Sequence, residues 1–304
     1  MKTAITLDAL IVLDAIAQRG SFAAAAKALH RVPSSITYAI SKLEQSLEVN
    51  LFDRKGHKAH LTPAGEALLQ EGRNLLQLTD HVERNIKRIA TGWEAEIRIA
   101  VGDVIPYDKV LQLCDDFYQV APETHLSLTT EVLGGAWDAL ASGRADFAIG
   151  APGDSPPGGG YASHPLKEPS VDFVFAISPQ HPLASAKEPI ANNLIRQHRA
   201  VAAADSSRLL QPRTVGLLSG QSVLTVPDLS VKRLAHIKGL GIGYLPLHLI
   251  EQDLAEGTLI TKITEDGANH SHGLYYAWQT KHLGNGMTWL INHLCHEEAM
   301  NWFS

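Results

Sequence analysis

Cysteine is scarce in this chain: Cys114 and Cys295 are the only two in 304 residues. Two thiols build no disulfide framework, so a reducing compartment is expected and the fold must rest on buried apolar surface. Long apolar runs are missing too. None approaches the roughly 20 residues that a membrane-spanning helix needs. The short run Ala9–Leu13 behind Lys2 mimics a signal-peptide core, but Asp8 and Asp14 bracket it and no small-residue cleavage site follows. An amphipathic helix is expected there, in a cytoplasmic protein with no membrane partner. Catalytic signatures are absent: no Gly-x-Ser-x-Gly, no His-Glu-x-x-His and no phosphate loop. Neither an enzyme nor a bound cofactor is expected. Nor is there an excess of positive charge. The net charge of −6, taken whole, argues against a nucleic-acid binder.

The charge is unevenly placed, however. Residues 1–95 carry 12 Lys and Arg against 10 Asp and Glu, whereas residues 96–304 carry 14 against 22. A slightly basic head can approach phosphates while an acidic body stays off them. The length suggests about two domains, and an apolar share of 45 % gives each a core to bury.

In the head, the spacing predicts a helix over 5–18 with Leu7, Leu10 and Ile11 on one face, stopped by Gly20. Ser21 caps an alanine-rich helix over 22–30. Pro33 marks a break, after which Ser34 or Ser35 caps a third helix to about Leu47. Ile36, Ile40, Leu43 and Leu47 form its buried stripe. The opposite face holds Ser34, Tyr38, Ser41, Lys42 and Gln45, rich in hydrogen-bonding groups and carrying one charge. Residues 51–61 read as a basic turn with Arg54, Lys55 and Lys58 flanked by His57 and His60. These are the parts of a winged helix-turn-helix, and they make double-stranded DNA the first expected partner. Thr62 and Pro63 then open a long helix to about Trp93. Leu68, Leu75, Val82 and Ile89 recur every seven residues along it, with Leu78 and Ile86 beside them, a seam that suits a homodimer or homotetramer.

From Glu96 strands alternate with helices. Strands are expected at 96–101, 125–132, 145–150, 171–177, 199–204, 223–226, 241–245, 258–262 and 273–279. Helices fit 106–120, 134–142, 229–239, 247–256 and 286–301, which makes an α/β body. The stretch Ser155–Gly160 reads as a crossing or a loop between lobes.

The head resembles the LysR-type transcriptional regulators. The residues that carry this are Gly20, Ser21 and Phe22 with Ala25, Ala26 and Leu29; Ile40, Leu43 and Glu44; Leu51, Phe52 and Arg54; and Leu61, Thr62, Ala64 and Gly65. The body is similar at Gly143-x-x-Asp146-Phe147-Ala148-Ile149, at His181-Pro182-Leu183 and over Gly239–Pro246. The resemblance implies a winged helix-turn-helix at 1–62, a linker and dimerisation helix at 63–93, and an effector-binding domain of periplasmic-binding-protein type at 94–304. Its lobe I would hold 94–163 and 269–304, its lobe II 164–268. A small-molecule effector would sit between the lobes and RNA polymerase would be a further partner.

The resemblance also implies site residues. Where the family's recognition helix usually opens Gln-Pro-x-Val-Ser-Arg-Gln, this chain has Pro33, Ser34, Ser35, Ile36, Thr37, Tyr38 and Ala39. Bidentate reading of guanine by Arg or adenine by Gln is therefore lost at those positions. Ser34, Thr37 and Tyr38 remain for hydrogen bonds or thymine-methyl contacts. Arg31, Lys42, Arg54, Lys55 and Lys58 are the candidate phosphate contacts. For the effector, strand C-termini and helix N-termini select Gly102, Asp103, Val104 and Ile105; Gly134 and Gly135; Ala204 and Asp205; and Tyr244 and Pro246. Asp103 would discourage an anion, pointing to a neutral or aromatic effector; as an equal alternative, it caps the helix that follows.

Fifteen histidines raise metal binding. His270 and His272, in an expected loop, and His293 and His296 on one helix face, lack further ligands, so no metal site is expected. Cys114 and Cys295 read as ordinary buried thiols. The run Gly239, Gly241, Gly243 precedes a strand where a dinucleotide loop would follow one, so tight packing is the better account. A solute-binding or enzymatic protein with the head as a mere dimerisation module would show no salt-dependent DNA affinity. A DNA-architectural protein with a vestigial body would show no ligand-induced stabilisation.

Overall fold

A computed structural model describes residues 5–53, 59–153, 155–267, 269–281, 283–297 and 301–303. Two compact units divide the chain, Met1–Ile86 and Lys87–Ser304.

The first unit contains α1 (Leu7–Arg19), α2 (Phe22–Ala28) and α3 (Pro33–Leu47), followed by β1 (Phe52–Asp53), β2 (His60–Leu61) and the start of α4 (Pro63–Thr91). The Thr6 hydroxyl accepts from the Ala9 N–H and opens α1, and Gly20 at φ 73° closes it. Ser21 accepts from Ala24 N and opens α2. Ala25 and Ala26 are fully buried, and their small side chains let the neighbouring helices approach. The start of α3 differs from expectation. Pro33 is its first helical residue and Val32 its cap, with no side-chain bond. Proline's fixed φ suits the first turn, and its missing N–H would have had no intrahelical partner there. Ile36, Ile40 and Leu43 join Val12, Leu13, Ile16, Leu51 and Phe52 in one core. Residues 51–61, expected as a turn, contain a two-residue antiparallel ladder pairing Phe52 with Leu61 and Asp53 with His60. Glu44 was read only as a scaffold position. It is buried, and its Oε1 accepts from Leu51 N at 2.7 Å and Phe52 N at 3.3 Å, fixing the ladder to α3. The helix α4 ends at Thr91, just before Gly92 at φ 78°.

The second unit runs β3 (Glu96–Gly102), α5 (Tyr107–Val120), β4 (His125–Glu131), α6 (Gly135–Ala141), β5 (Phe147–Pro152), β6 (Tyr161–Ile177), α7 (Asn192–Ile195), β7 (Ala200–Ala203), β8 (Val223–Val226), α8 (Leu229–Ile237), β9 (Gly243–Pro246), α9 (Leu247–Glu256), β10 (Ile260–Lys262), β11 (Asn269–Gln279) and α10 (Asn285–Asn292). A 3-10 turn lies at Pro182–Ser185 and a π turn at His293–Glu297. One seven-stranded sheet has the order β10-β6-β11-β5-β3-β4, with β9 also on β6. The strands β7 and β8 form a second, parallel pair.

The long strands β6 and β11 belong to both halves of this unit. Tyr161–Pro165 pairs with Tyr275–Gln279 beside β5, and Ser170–Val174 pairs with Asn269–Gly273 beside β9. Between the two stretches the register shifts at Gly273/Tyr275. The passage between halves is therefore made by these strands, whereas Ser155–Gly160 lies in the connection from β5 to β6. Only 171–177 was expected as strand. Residues 161–170 carry Pro165, Pro169, Lys167 and Glu168 and lack the alternation that marks a strand. The boundary expected at 163/164 falls inside β6. The strand β11 begins at Asn269, so His270 and His272 lie on a strand where a loop was expected; their side chains are outside the described set. The helix expected over 286–301 is α-helical only to Asn292. The glycine run packs tightly: a Cβ on Gly241 would lie 2.6 Å from the Arg199 carbonyl oxygen. No single helix among the described residues is long and apolar enough to cross a membrane.

Candidate functional site

Two surfaces carry chemistry, one in each unit. In the first unit, α3 turns its buried stripe inward and leaves Pro33, Ser34, Thr37, Tyr38 and Lys42 exposed. Tyr38 is 67 % exposed and Val32, just before the helix, 63 %. The Lys42 ammonium lies 5.9 Å from the Tyr38 ring centroid, a cation–π distance. Two expected contacts are engaged within the helix itself. The Ser35 hydroxyl donates to the Val32 carbonyl at 2.8 Å and the Thr37 hydroxyl to the Pro33 carbonyl at 3.1 Å. Arg31 is held by Asp8 at 2.6 Å, and this hydrogen bond draws the Asp8 carboxyl below its usual range. Arg54, Lys55 and Lys58 lie outside the described residues.

The α4 stripe is exposed along most of its length: Leu75, Leu78, Val82, Ile86 and Ile89 are 47–66 % accessible. Leu68 differs. It packs against the core of the first unit, because the opening turns of α4 lean on that core.

In the second unit the C-terminal ends of β3, β5 and β7 converge with β6, β11, β9 and α8 on a cavity of about 350 Å³. Gly102 lines it from the end of β3 and Asp103 and Val104 from just beyond, Val132 and Leu133 from beyond β4, and Gly150 and Pro152 from β5 with Gly153 just after it. Val171, Phe173, Gly273 and Leu274 come from the two shared strands. The far side is Ala203, Arg213, Val215, Gly216, Leu229, Lys232 and Tyr244. The close approach of β3 and β5 needs glycine: a Cβ on Gly102 would lie 2.8 Å from the Gly150 carbonyl oxygen. Leu133 sits at φ 51°, a left-handed conformation that costs energy for a leucine, on the cavity wall.

Of the expected effector residues, Gly102, Asp103, Val104 and Tyr244 line this cavity. Ile105 lies in the hydrophobic core. Pro246 closes β9 and caps α9. Ala204 N donates to the Val226 carbonyl. Gly134, Gly135 and Asp205 come together, but on one another. Asp205 Oδ2 accepts from Gly134 N at 3.1 Å and from Arg213 N at 2.7 Å. A carboxylate of the chain itself thus occupies the Gly134 N–H, and the Gly135 N–H goes to the Val132 carbonyl, so neither is left for a ligand. Beside it, Val132 N donates to the Ser206 hydroxyl, which donates to Glu131. Asp138 accepts from Leu209 N and Leu210 N, each at 2.7 Å, and pairs with Arg144 at 3.0 Å. Burial alone would raise the Asp138 carboxyl, yet those N–H groups and Arg144 hold it below its usual range. The segment Asp205–Arg213 is thereby latched to α6 and β4. A Cβ on Gly135 would lie 1.8 Å from the Ser206 hydroxyl, so only glycine allows the latch.

Asp103 caps neither α5 nor solvent. Its Oδ2 accepts from Leu229 N at 3.1 Å, at the first turn of α8. Burial pushes this carboxyl up to about 7 and the Lys232 ammonium down to about 8. The Lys232 side chain, missed in the sequence, had a signal. Three residues after Leu229, on the α8 face that buries Ala235 and His236, a lysine occupies a core position. His236 donates Nδ1–H to the Ala176 carbonyl at 2.9 Å, and burial lowers its imidazole to about 3, so it stays neutral. Burial raises both thiols, that of Cys295 to about 11, and leaves them protonated at neutral pH. Among the described residues no group of three or more His, Cys, Asp or Glu could hold a metal ion.

Comparison with known proteins bears on both surfaces. Residues 7–66 match the bacterial regulatory helix-turn-helix protein, lysR family. Residues 90–298 match the LysR substrate binding domain. The probable HTH-type transcriptional regulator YhaJ of Escherichia coli (strain K12) is 36 % identical over 96 % of this chain and 97 % of its own length. The HTH-type transcriptional regulator PunR of the same organism is 34 % identical over 96 % and 93 %. Among solved structures, full-length CbnR complexed with target DNA shares the fold with a TM-score of 0.59 at 18 % identity, covering 95 % of this chain and 98 % of that one.

Proposed function

The chain belongs to the LysR family of transcriptional regulators and is not an enzyme, and from that premise we propose how it works. It binds double-stranded DNA through α3 and the adjoining wing, pairs with a second copy along α4 as a homodimer or homotetramer, and takes its signal from a small molecule in the cavity of the second unit. RNA polymerase is the further partner proposed. Ser34, Tyr38 and Lys42 stand exposed on the outer face of α3, with the Lys42 ammonium near the Tyr38 ring. Lys42 serves phosphate, while Ser34 and Tyr38 face base edges, with Arg31, Pro33, Ser35 and Thr37 shaping the helix start. The wing residues Arg54, Lys55 and Lys58 add phosphate contacts.

The observation that carries the signalling role is the composition of the cavity wall. It is lined from both halves of the second unit, by Asp103 on one side and Lys232 and Tyr244 on the other. A ligand touching both halves binds one arrangement of them better than another and shifts the population by that difference. Selection of bound sequences from a randomised duplex library with the full chain tests the DNA-binding role. Enrichment of paired half-sites whose affinity falls steeply with salt is expected. Absence of enrichment, or affinity insensitive to salt, refutes it.

A further inference from the structure

The cavity holds two opposite charges that do not meet. Lys232 is 9 % exposed and lines the cavity, yet among the described residues no hydrogen bond or ion pair engages it. Asp103 lines the same cavity and its Oδ2 accepts from Leu229 N. Each carries the cost of leaving water. They attract one another through space, but no contact joins them. An ammonium that is nine-tenths buried, without a partner and turned to a void, is an incomplete polar site.

The walls around this pair are apolar: Val132, Val171, Phe173 and Leu274. The volume of about 350 Å³ lies at the small end of ligand pockets, which fits a single ring or a bicyclic body. Asp103 and Lys232, one acceptor and one donor charge from opposite sides of the cavity, make the floor of the site, and Asp228 at the cap of α8 adds a second negative charge near Asp103. A carboxylate ligand on Lys232 would bring its charge toward Asp103. A free ammonium on Asp103 would do the same toward Lys232. A neutral group with one N–H and one C=O side by side satisfies both at once, without a net charge to bury.

Resting on the effector role proposed above, we infer that the cavity takes a small neutral molecule with an amide-type edge, its C=O accepting from Lys232 Nζ and its N–H donating to the Asp103 carboxylate. Each contact is a charge-assisted hydrogen bond to a largely buried group. Arg213, exposed at the mouth with its Nη1 near the Pro152 carbonyl, stands apart from this floor.

Ligand-observed NMR titration of the full chain with benzamide, benzoate and benzylamine, three probes of one shape and different charge, tests the inference. Benzamide is expected to bind ahead of the other two. Lys232→Met and Asp103→Asn, each near in shape to the native residue, are expected to weaken it by about tenfold or more. A second variant, Val215→Trp at the exposed mouth, blocks entry without touching the floor and sets the non-specific level. Benzoate binding ahead of benzamide and lost in Lys232→Met overturns the neutral edge while leaving a ligand cavity. Benzamide binding unchanged in both floor variants does the same. No probe binding above the Val215→Trp level overturns the inference and the effector role together.

Discussion

Replacing Leu75 and Val82 together by Glu is expected to break the assembly of this protein without unfolding it. Five large apolar side chains, Leu75, Leu78, Val82, Ile86 and Ile89, lie on one stripe of α4 and are 47–66 % exposed in the single chain. Complete burial of such a side chain contributes about 1.5–3 kcal/mol. With roughly half of each still exposed, pairing of two copies adds ~1 kcal/mol per side chain, or ~10 kcal/mol for the ten in a symmetric seam. Lost translational and rotational freedom opposes this by about 4–15 kcal/mol. The seam is therefore of the same size as the cost it offsets, and a modest loss tips the balance. The double substitution removes four of the ten side chains and sets four carboxylates into the contact. About 4 kcal/mol is lost, close to a 10³-fold weaker dissociation constant. Sedimentation velocity over a wide concentration range reads this directly, with circular dichroism to verify folding. Val49→Glu is the control, since Val49 is 42 % exposed but lies outside the stripe. An unchanged assembly state for the folded double variant, or an equal effect of Val49→Glu, refutes the seam.

Lys42→Ala should lower DNA affinity alike across sequences and reduce the salt slope by about 1, whereas Tyr38→Ala should change the selected sequence; anisotropy titrations at several salt concentrations distinguish the two, and an unchanged slope removes Lys42 from the phosphate contacts. Glu44→Gln should destabilise the first unit by about 1–3 kcal/mol in thermal unfolding, because the Leu51 and Phe52 N–H groups lose a charged acceptor; equal midpoints would contradict this. Asp103 predicts a pH effect: with its pKa raised from 3.8 to about 7, the native state keeps a proton that the unfolded chain has released. Stability therefore falls as pH rises through that window, and Asp103→Asn should flatten the slope in denaturant titrations. Lys232, lowered from 10.5 to about 8, works oppositely: stability rises with pH above about 8, and Lys232→Met should abolish that rise.

Local chemistry made much of the first unit legible. Gly20, Ser21 and Thr62 act within three or four residues of themselves, so these caps and stops could be read from their neighbours, whereas the Thr6 cap was passed over inside a helix expected to begin at residue 5. The α3 stripe follows the helical period, and Ile36, Ile40 and Leu43 are buried as that period requires. Pro33 was misplaced by one role only, since a proline that ends one helix and one that begins the next look alike without the turn between them. Strand β6 was half visible, because its first half owes its pairing to β11, which is far away in the chain, and not to its own side-chain pattern.

By itself, then, the sequence determined the helix-turn-helix, the apolar stripe of α4 and the α/β character of the second unit, each written in periods of two to seven residues. Tertiary structure alone decided what faces the cavity. Asp103 lies more than a hundred residues before Lys232 and Tyr244, and all three line one cavity because β6 and β11 run through both halves and bring the end of β3, β9 and the start of α8 to one place. It also turned Asp205 onto Gly134, closing with the chain's own carboxylate a helix end that looked open to a ligand. Periodicity tells which face of an element is buried; whether a charge on that face finds a partner depends on elements the local pattern cannot see.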